Sequence, residues 1–177
     1  MPIFPKHCAG VAVGTSEVAR GVAIFLGDSP DVVPAAYRLH LADERCLYEN
    51  VIFLSATFAC TPRVAGADRV RVERPVVGTT AGCRFHFVTV QFGFREECDV
   101  PAALRRAWLE RRLDIDPRDA RYVCADQLVF VERANWRRWA RWRRMLFCAM
   151  ARRQTSVRDY FCLPRARTVS YLVPVGI

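Results

Sequence analysis

Apolar and polar residues alternate in blocks along this chain, and the period of the alternation changes from block to block. Val22–Leu26 is a short apolar run closed by Gly27 and Asp28, the pattern of a buried strand followed by a turn. Val33, Ala36, Tyr37, His40 and Leu41 then recur at helical spacing, and Asp31 stands where it would cap that helix. Val51–Phe58 reads as a second buried strand, while Val70 and Val72, interleaved with Arg69, Arg71 and Glu73, show the two-residue period of a half-exposed one. After the turn-like Gly78-Thr79-Thr80-Ala81-Gly82, the stretch Phe85–Phe94 is apolar on both alternating faces, which predicts a central strand covered on two sides. Asp99 precedes Pro101, a favourable first-turn residue, and a helix is predicted from there to about Leu113. Tyr122–Val131 predicts another strand. Asn135 would cap a long helix from Trp136 to about Arg153, and Thr168–Val173 predicts a short closing strand.

Strands alternating with helices in this way argue an α/β fold. Two strands follow each other between Arg69 and Phe94 with only a turn between them, so the sheet is expected to be mixed, with about five to six strands flanked by about three helices. Residues 1–18, with Pro2, Pro5, Gly10 and Gly14, read as a flexible lead-in, and residues 19–177 as a single α/β domain. The 177-residue length and 52% hydrophobic content suit a packed globular chain and not a disordered tail. No run approaches the roughly 18 apolar residues that a membrane-spanning helix requires, and Lys6 and His7 lead into a Gly-rich stretch, unlike a signal peptide. A soluble chain is the expectation.

The formal net charge of +9 is lopsided. Lys6 is the only lysine, so 26 of the 27 basic residues are arginine, a bias that looks more like a GC-rich coding background than 26 selected guanidinium sites. Residues 1–102 are net −1, whereas residues 103–153 are net +8 and residues 154–177 net +2. Much of the excess lies between Trp136 and Arg153. There Trp136, Trp139, Trp142 and Met145 recur every three residues, with Arg137, Arg138, Arg141, Arg143 and Arg144 between them. Indole prefers the headgroup zone of a bilayer and guanidinium meets lipid phosphate, so Trp136, Arg137, Trp139, Arg143 and Arg144 are candidates for contact with an anionic membrane surface. The blander alternative packs the Trp/Met stripe on the sheet and solvates the arginines. A nucleic-acid partner is not expected, because the first 102 residues carry no basic excess.

Other candidate chemistry is sparse. Cysteines at 8, 46, 60, 83, 98, 124, 148 and 162 are never closer than 14 residues, without the paired spacing of a zinc site. Several fall in apolar segments, as Cys60, Cys124 and Cys148 do, and reduced structural thiols are expected. Gly27-Asp28-Ser29 sits where α/β sheets commonly bind nucleotides, but it lacks a phosphate-binding fingerprint, and a capping turn is the simpler reading. Glu96-Glu97 with Asp99 could hold a cation or act in acid/base work, yet it stands just before a helix N-terminus, where dipole complementarity explains it more simply. His7, His40 and His86 are far apart and read as structural. On residues alone the expectation is a non-enzymatic domain without cofactor or metal. The alternative is a stand-alone ligand- or nucleotide-binding regulatory module, sensing an adenine nucleotide or a cyclic dinucleotide near Gly27–Asp31.

Several segments, taken in order, resemble the C-terminal cytoplasmic domain of the Kup/HAK/KT family of potassium uptake permeases. The strongest is Phe92-Gly93-Phe94-Arg95-Glu96-Glu97-Cys98-Asp99-Val100-Pro101, which is similar to the family's aromatic-Gly-Phe, acidic pair, Pro-Asp-Val-Pro stretch with Cys98 in place of its first proline. Arg20–Leu26, Arg144–Phe147 with Ala149-Met150, Asp159-Tyr160-Phe161 with Leu163-Pro164, Arg167-Thr168-Val169 and Val175-Gly176-Ile177 resemble further segments, so the likeness covers roughly residues 19–177. Leu39–Arg45 departs from it: Asp43 and Glu44 stand where the family carries basic and amide side chains. The resemblance implies an accessory, dimer-forming and regulatory domain on the cytoplasmic face of a potassium transporter, partnered by that transporter's membrane domain. It implies no transport residue here. Regulation of some bacterial members by a cyclic dinucleotide finds no motif in this chain.

Overall fold

A computed structural model describes residues 17–30, 32–73, 83–130 and 155–176. Six strands form one sheet: β1 (Glu17–Gly27), β2 (Cys46–Ala59), β3 (Val70–Glu73), β4 (Arg84–Gly93), β5 (Arg121–Phe130) and β6 (Thr168–Gly176), in the spatial order β3-β4-β2-β1-β5-β6. All neighbours run parallel except β3, which pairs antiparallel with β4 at one edge, Val70 opposite Val90. The mixed sheet expected from the Arg69–Phe94 pattern is therefore present. Among the described residues four α-helices accompany it: α1 (Ala35–Asp43), α2 (Gly66–Arg69), α3 (Val100–Leu109) and α4 (Val157–Tyr160).

Alternation along the central strands sends side chains to two separate cores. On one face Ile24, Leu26, Ile52, Leu54, Val88, Val90 and Phe92 meet Val100, Ala103, Leu104 and Ala107 of α3. Those four positions recur at the three- and four-residue spacing that makes one helical face apolar. On the other face Ala23, Phe25, Val51 and Phe53 pack under Ala36 and Tyr37 of α1. Tyr37 stands edge-on to both Phe25 and Phe53, with ring centroids 5.1 and 5.0 Å away. This is the arrangement in which the positive ring edge meets the negative ring face.

The element ends depart from the sequence pattern in instructive ways. The expected cap at Asp31 lies outside the described residues, and α1 starts at Ala35 behind Pro34, with no side-chain cap. Asp99 does cap α3, accepting the Ala102 N–H at 2.8 Å. That helix stops at Leu109 instead of reaching Leu113, because Arg111 takes a left-handed φ of 56° and the Arg112 and Leu113 amides turn back to the Ala107 carbonyl. Leu113 is still buried, so the apolar spacing persists after the helix has ended. β1 begins at Glu17 and carries a register shift between Ala19 and Val22, where Gly21 sits at φ 121°, a backbone angle that side chains oppose. β4 is less central than expected: it lies second from the edge, buried at Val88, Val90 and Phe92 and only half-buried at Phe87, Thr89 and Gln91 on the other face. The predicted helix from Trp136 to Arg153, and its cap Asn135, lie outside the described residues.

His40 ties α1 to the far side of the sheet. It is buried, and its Nδ1 is 3.3 Å from the Tyr171 hydroxyl of β6. Beside it, Arg121 donates to Glu44 at 3.1 Å and to the Tyr48 hydroxyl at 2.9 Å. Burial pushes the His40 pKa below its ordinary value, and the Glu44 carboxylate 3.8 Å away only partly opposes that. An unfolded histidine takes up its proton below about pH 6.5, while the folded ring resists it. The resulting stability is present above that pH and is lost as pH falls through the folded pKa. Urea midpoints measured between about pH 7 and pH 5 should fall toward acid, and His40→Leu should flatten that dependence.

Candidate functional site at the carboxyl end of the sheet

Parallel strands deliver their following loops to one end of the sheet, and ligand sites of α/β folds lie there, at the point where the strand order reverses. Here that point lies between β1 and β5, and the loop leaving β1 is Gly27-Asp28-Ser29. Gly27 lies against Pro34: a Cβ on it would stand 2.9 Å from the Pro34 Cγ. The cavity beside this turn, lined by Ser29, Pro34, Phe53, Ser55 and Thr89 among others, has a volume of about 10 Å³. That is room for about one water, and no nucleotide fits it.

The loop leaving β4 is the most constrained part of this end. Gly93 approaches the β2–α2 connection so closely that a Cβ would meet the Pro62 carbonyl oxygen at 2.4 Å. The Phe94 and Arg95 amides then donate to the Thr61 and Pro62 carbonyls, each at 3.1 Å. Glu96 closes the arrangement. Its carboxylate accepts the Gly93 N–H at 2.7 Å and the Val64 N–H at 3.3 Å, and it pairs with the Arg69 guanidinium at the end of α2. The Gly93 amide first, then Arg69 and the Val64 amide, hold the Glu96 carboxyl below the ordinary carboxylate range against an opposing burial penalty. The acidic trio expected to answer a helix dipole is thus divided. Asp99 caps α3, Glu96 latches two loops together, and Glu97 accepts a weak hydrogen bond from the Cys162 thiol at 3.6 Å. The sequence signal for the latch was the Gly-x-x-Glu spacing of Gly93 and Glu96, closed here by a turn in which the Glu96 amide donates to the Gly93 carbonyl.

Two further features share this end. A depression of about 520 Å³ is lined by Thr57, Thr89, Gln91, Asp68, Arg71 and Arg112, a hydrophilic set. Arg112 is already committed there, donating to the Val70 and Gly66 carbonyls at 2.6 and 3.2 Å. Phe58, at the end of β2, is 52% exposed, Phe94 is 62% exposed and Tyr160 of α4 is 47% exposed. Phe58 and Tyr160 touch edge to face, with ring centroids 6.3 Å apart. Exposed aromatics of this kind mark contact surfaces more often than catalytic ones.

The candidate membrane contacts Trp136, Arg137, Trp139, Arg143 and Arg144 all lie outside the described residues, as does His7. His86 is half-buried on β4. Among the described residues the cysteines are free thiols, with Cys83, Cys98 and Cys124 buried; Cys60, expected in an apolar segment, is exposed just past the end of β2. Among the same residues no group of three or more His, Cys, Asp or Glu side chains is placed to hold a metal ion, and no helix is long and apolar enough to cross a membrane.

The fold is a mixed, mainly parallel α/β sheet that carries a latched pair of loops and exposed aromatics at its carboxyl end. The chain belongs to the family of K+ potassium transporter C-terminal domains, whose model matches residues 20–177. It is 32% identical over 169 residues to the probable potassium transport system protein Kup of Pseudomonas savastanoi pv. phaseolicola, a match that covers 96% of this chain and 25% of that protein. It is 34% identical to Kup 2 of Rhodopseudomonas palustris over 91% of this chain and 24% of the relative. With Kup 3 of Dechloromonas aromatica it shares 33% identity over 94% of this chain and 25% of the relative. The chain therefore spans about a quarter of the length of the curated relatives it matches. No solved structure matches it.

The latch makes a measurable claim. Glu96→Gln removes the charge from three hydrogen bonds and should cost about 2 kcal/mol in urea denaturation at neutral pH. Because the folded carboxyl titrates low, the gap between wild type and variant should narrow as pH falls from about 5 toward 3. Gly93→Ala, with no room for its methyl group, should cost about 2–3 kcal/mol.

Proposed function

We propose that this chain is the cytoplasmic accessory part of a potassium uptake system, a regulatory homodimer that packs against the system's membrane domain and itself holds no transport route. The observation that carries the reading is the family match over residues 20–177, which takes in nearly the whole described sheet and both of its cores. Potassium transport is the activity named for the relatives, and proton coupling comes with the permease class that the sequence resembles. Phe58, Phe94 and Tyr160 offer the membrane domain an apolar contact at the carboxyl end of the sheet. The latch between Glu96, Arg69 and the Gly93 amide keeps the loops that bear Phe94 and follow Phe58 in fixed relation, as a coupling surface requires.

A chimera tests the reading directly. In cells lacking other potassium uptake, the Pseudomonas savastanoi relative is truncated by its C-terminal quarter, and this chain is grafted in its place. Rubidium uptake should recover severalfold over the truncated protein, and Phe58→Ala with Tyr160→Ala should reduce the recovery. Uptake no better than the truncated control would overturn the reading.

The segment with Trp136, Arg137, Trp139, Arg143 and Arg144 is proposed to meet the anionic lipid beside that membrane domain. Flotation of the chain with vesicles containing phosphatidylglycerol, lost in Trp139→Ala and Arg143→Ala variants that keep their far-ultraviolet circular dichroism, is the expected result. Equal flotation of wild type and variants would remove this contact from the reading.

A further inference from the structure

Two cysteines far apart in the chain meet where α3 begins and α4 ends. Cys98 is buried just before Asp99, the cap of α3, and Cys162 is exposed two residues after Tyr160, the last residue of α4. Three contacts strap the segments together around them. The Val100 N–H donates to the Phe161 carbonyl at 3.3 Å, and the Cys162 thiol donates to Glu97 at 3.6 Å. The Tyr160 hydroxyl and the Cys98 side chain share a hydrogen bond, which together with burial pushes the Tyr160 phenol above its ordinary pKa. Each thiol thus touches the segment that carries the other. Burial, then Glu97 and Asp99, then the Cys98 thiol itself push the Cys162 thiol above its ordinary pKa, so the two sulfurs already sense each other. Cys162 also holds a left-handed φ of 54°, at a position after a helix where glycine or asparagine is the usual residue.

We propose that Cys98 and Cys162 are a dithiol switch, closed to an internal disulfide by a low-molecular-weight disulfide and reopened by thiols. The switch goes beyond the proposed function and does not depend on it. Exposed Cys162 reacts first. It gives its proton to solvent, and its thiolate attacks one sulfur of the small disulfide and expels the other half as a thiolate. Cys98, deprotonated in turn, attacks the Cys162 sulfur and expels the second half. One internal S–S bond forms, the bond of the small disulfide is broken, and its two halves carry away both electrons as two thiols. Because only the thiolate attacks, the raised Cys162 pKa makes the first step slow at neutral pH and faster toward alkaline pH. The fold has already brought the two segments together, so closure restricts the unfolded chain far more than the native one. It staples to α3 the turn that carries Tyr160, whose ring packs edge to face on Phe58.

The test treats the folded, full chain with oxidised glutathione and reads the products by mass spectrometry. The expected product has lost two hydrogens and joins tryptic peptides 96–105 and 159–165, and dithiothreitol separates them again. Its rate of formation should rise about tenfold between pH 7 and pH 8. Amides of residues 157–163 should exchange roughly tenfold more slowly in the oxidised chain than in the reduced one. Cys98→Ser should leave one glutathione on Cys162 and no internal bond, while Cys162→Ser should leave Cys98 unmodified. The wild-type result decides without the variants, should either fail to fold. Glutathione that stays on Cys162 of the wild-type chain, or a bond from Cys162 to Cys60 or to another chain in place of Cys98, overturns the switch.

Discussion

Five strands that share one direction cannot be joined by tight turns. Each parallel neighbour requires a crossover that passes over a face of the sheet, and the crossovers must bury what the strands expose on both sides. This constraint organises the molecule. The crossover from β1 to β2 carries α1 on one face, and the crossover from β4 to β5 carries α3 on the other, so the sheet has two cores that share no side chain. One is mainly aliphatic, built on Ile24, Ile52, Val90 and Leu104 with Phe92 and Tyr122 among them; the other is centred on the aromatic rings of Phe25, Tyr37 and Phe53.

The same constraint decides where exposed chemistry gathers. Every parallel strand ends at one pole, so the loops after β2 and β4 run side by side and need a means of holding position. Gly93 allows their backbones to touch, and Glu96 satisfies amides that would otherwise lack a partner in the contact. With the loops fixed, Phe58, Phe94 and Tyr160 are presented on a defined surface. At the opposite pole, His40, Glu44, Arg121, Tyr48 and Tyr171 link α1 to three strands through polar contacts. Glu44 at the end of α1 thus has a local partner here, the Arg121 guanidinium of β5.

Much of this was legible beforehand. Six strands lie where the alternation of apolar runs put them, and the antiparallel edge followed from the short interval between Arg69 and Phe94. The start of α3 was legible too, because a first-turn proline acts within one turn of chain, although the Asp99 cap itself was read only as charge matching a helix dipole. Helix ends were less so. Leu113 keeps helical spacing but reaches the core from a non-helical backbone, and a period cannot distinguish those two routes.

The sequence by itself determined the class of fold, the order of its elements and the family, because each rests on patterns that local periodicity and an ordered run of motifs preserve. Only the tertiary structure decided what the motifs are for. Glu96 looked like a dipole-matching charge beside α3 and is instead bound to Val64 and Arg69, residues 32 and 27 positions away in the chain. The edges, too, exist only after assembly: β3 and β6 are ordinary segments until the strand order places them outermost among the described strands, one bearing Arg71 and Glu73 and the other free of charged residues. Pairings of distant residues depend on which surfaces the crossovers bring together, and that is set by packing the whole sheet at once.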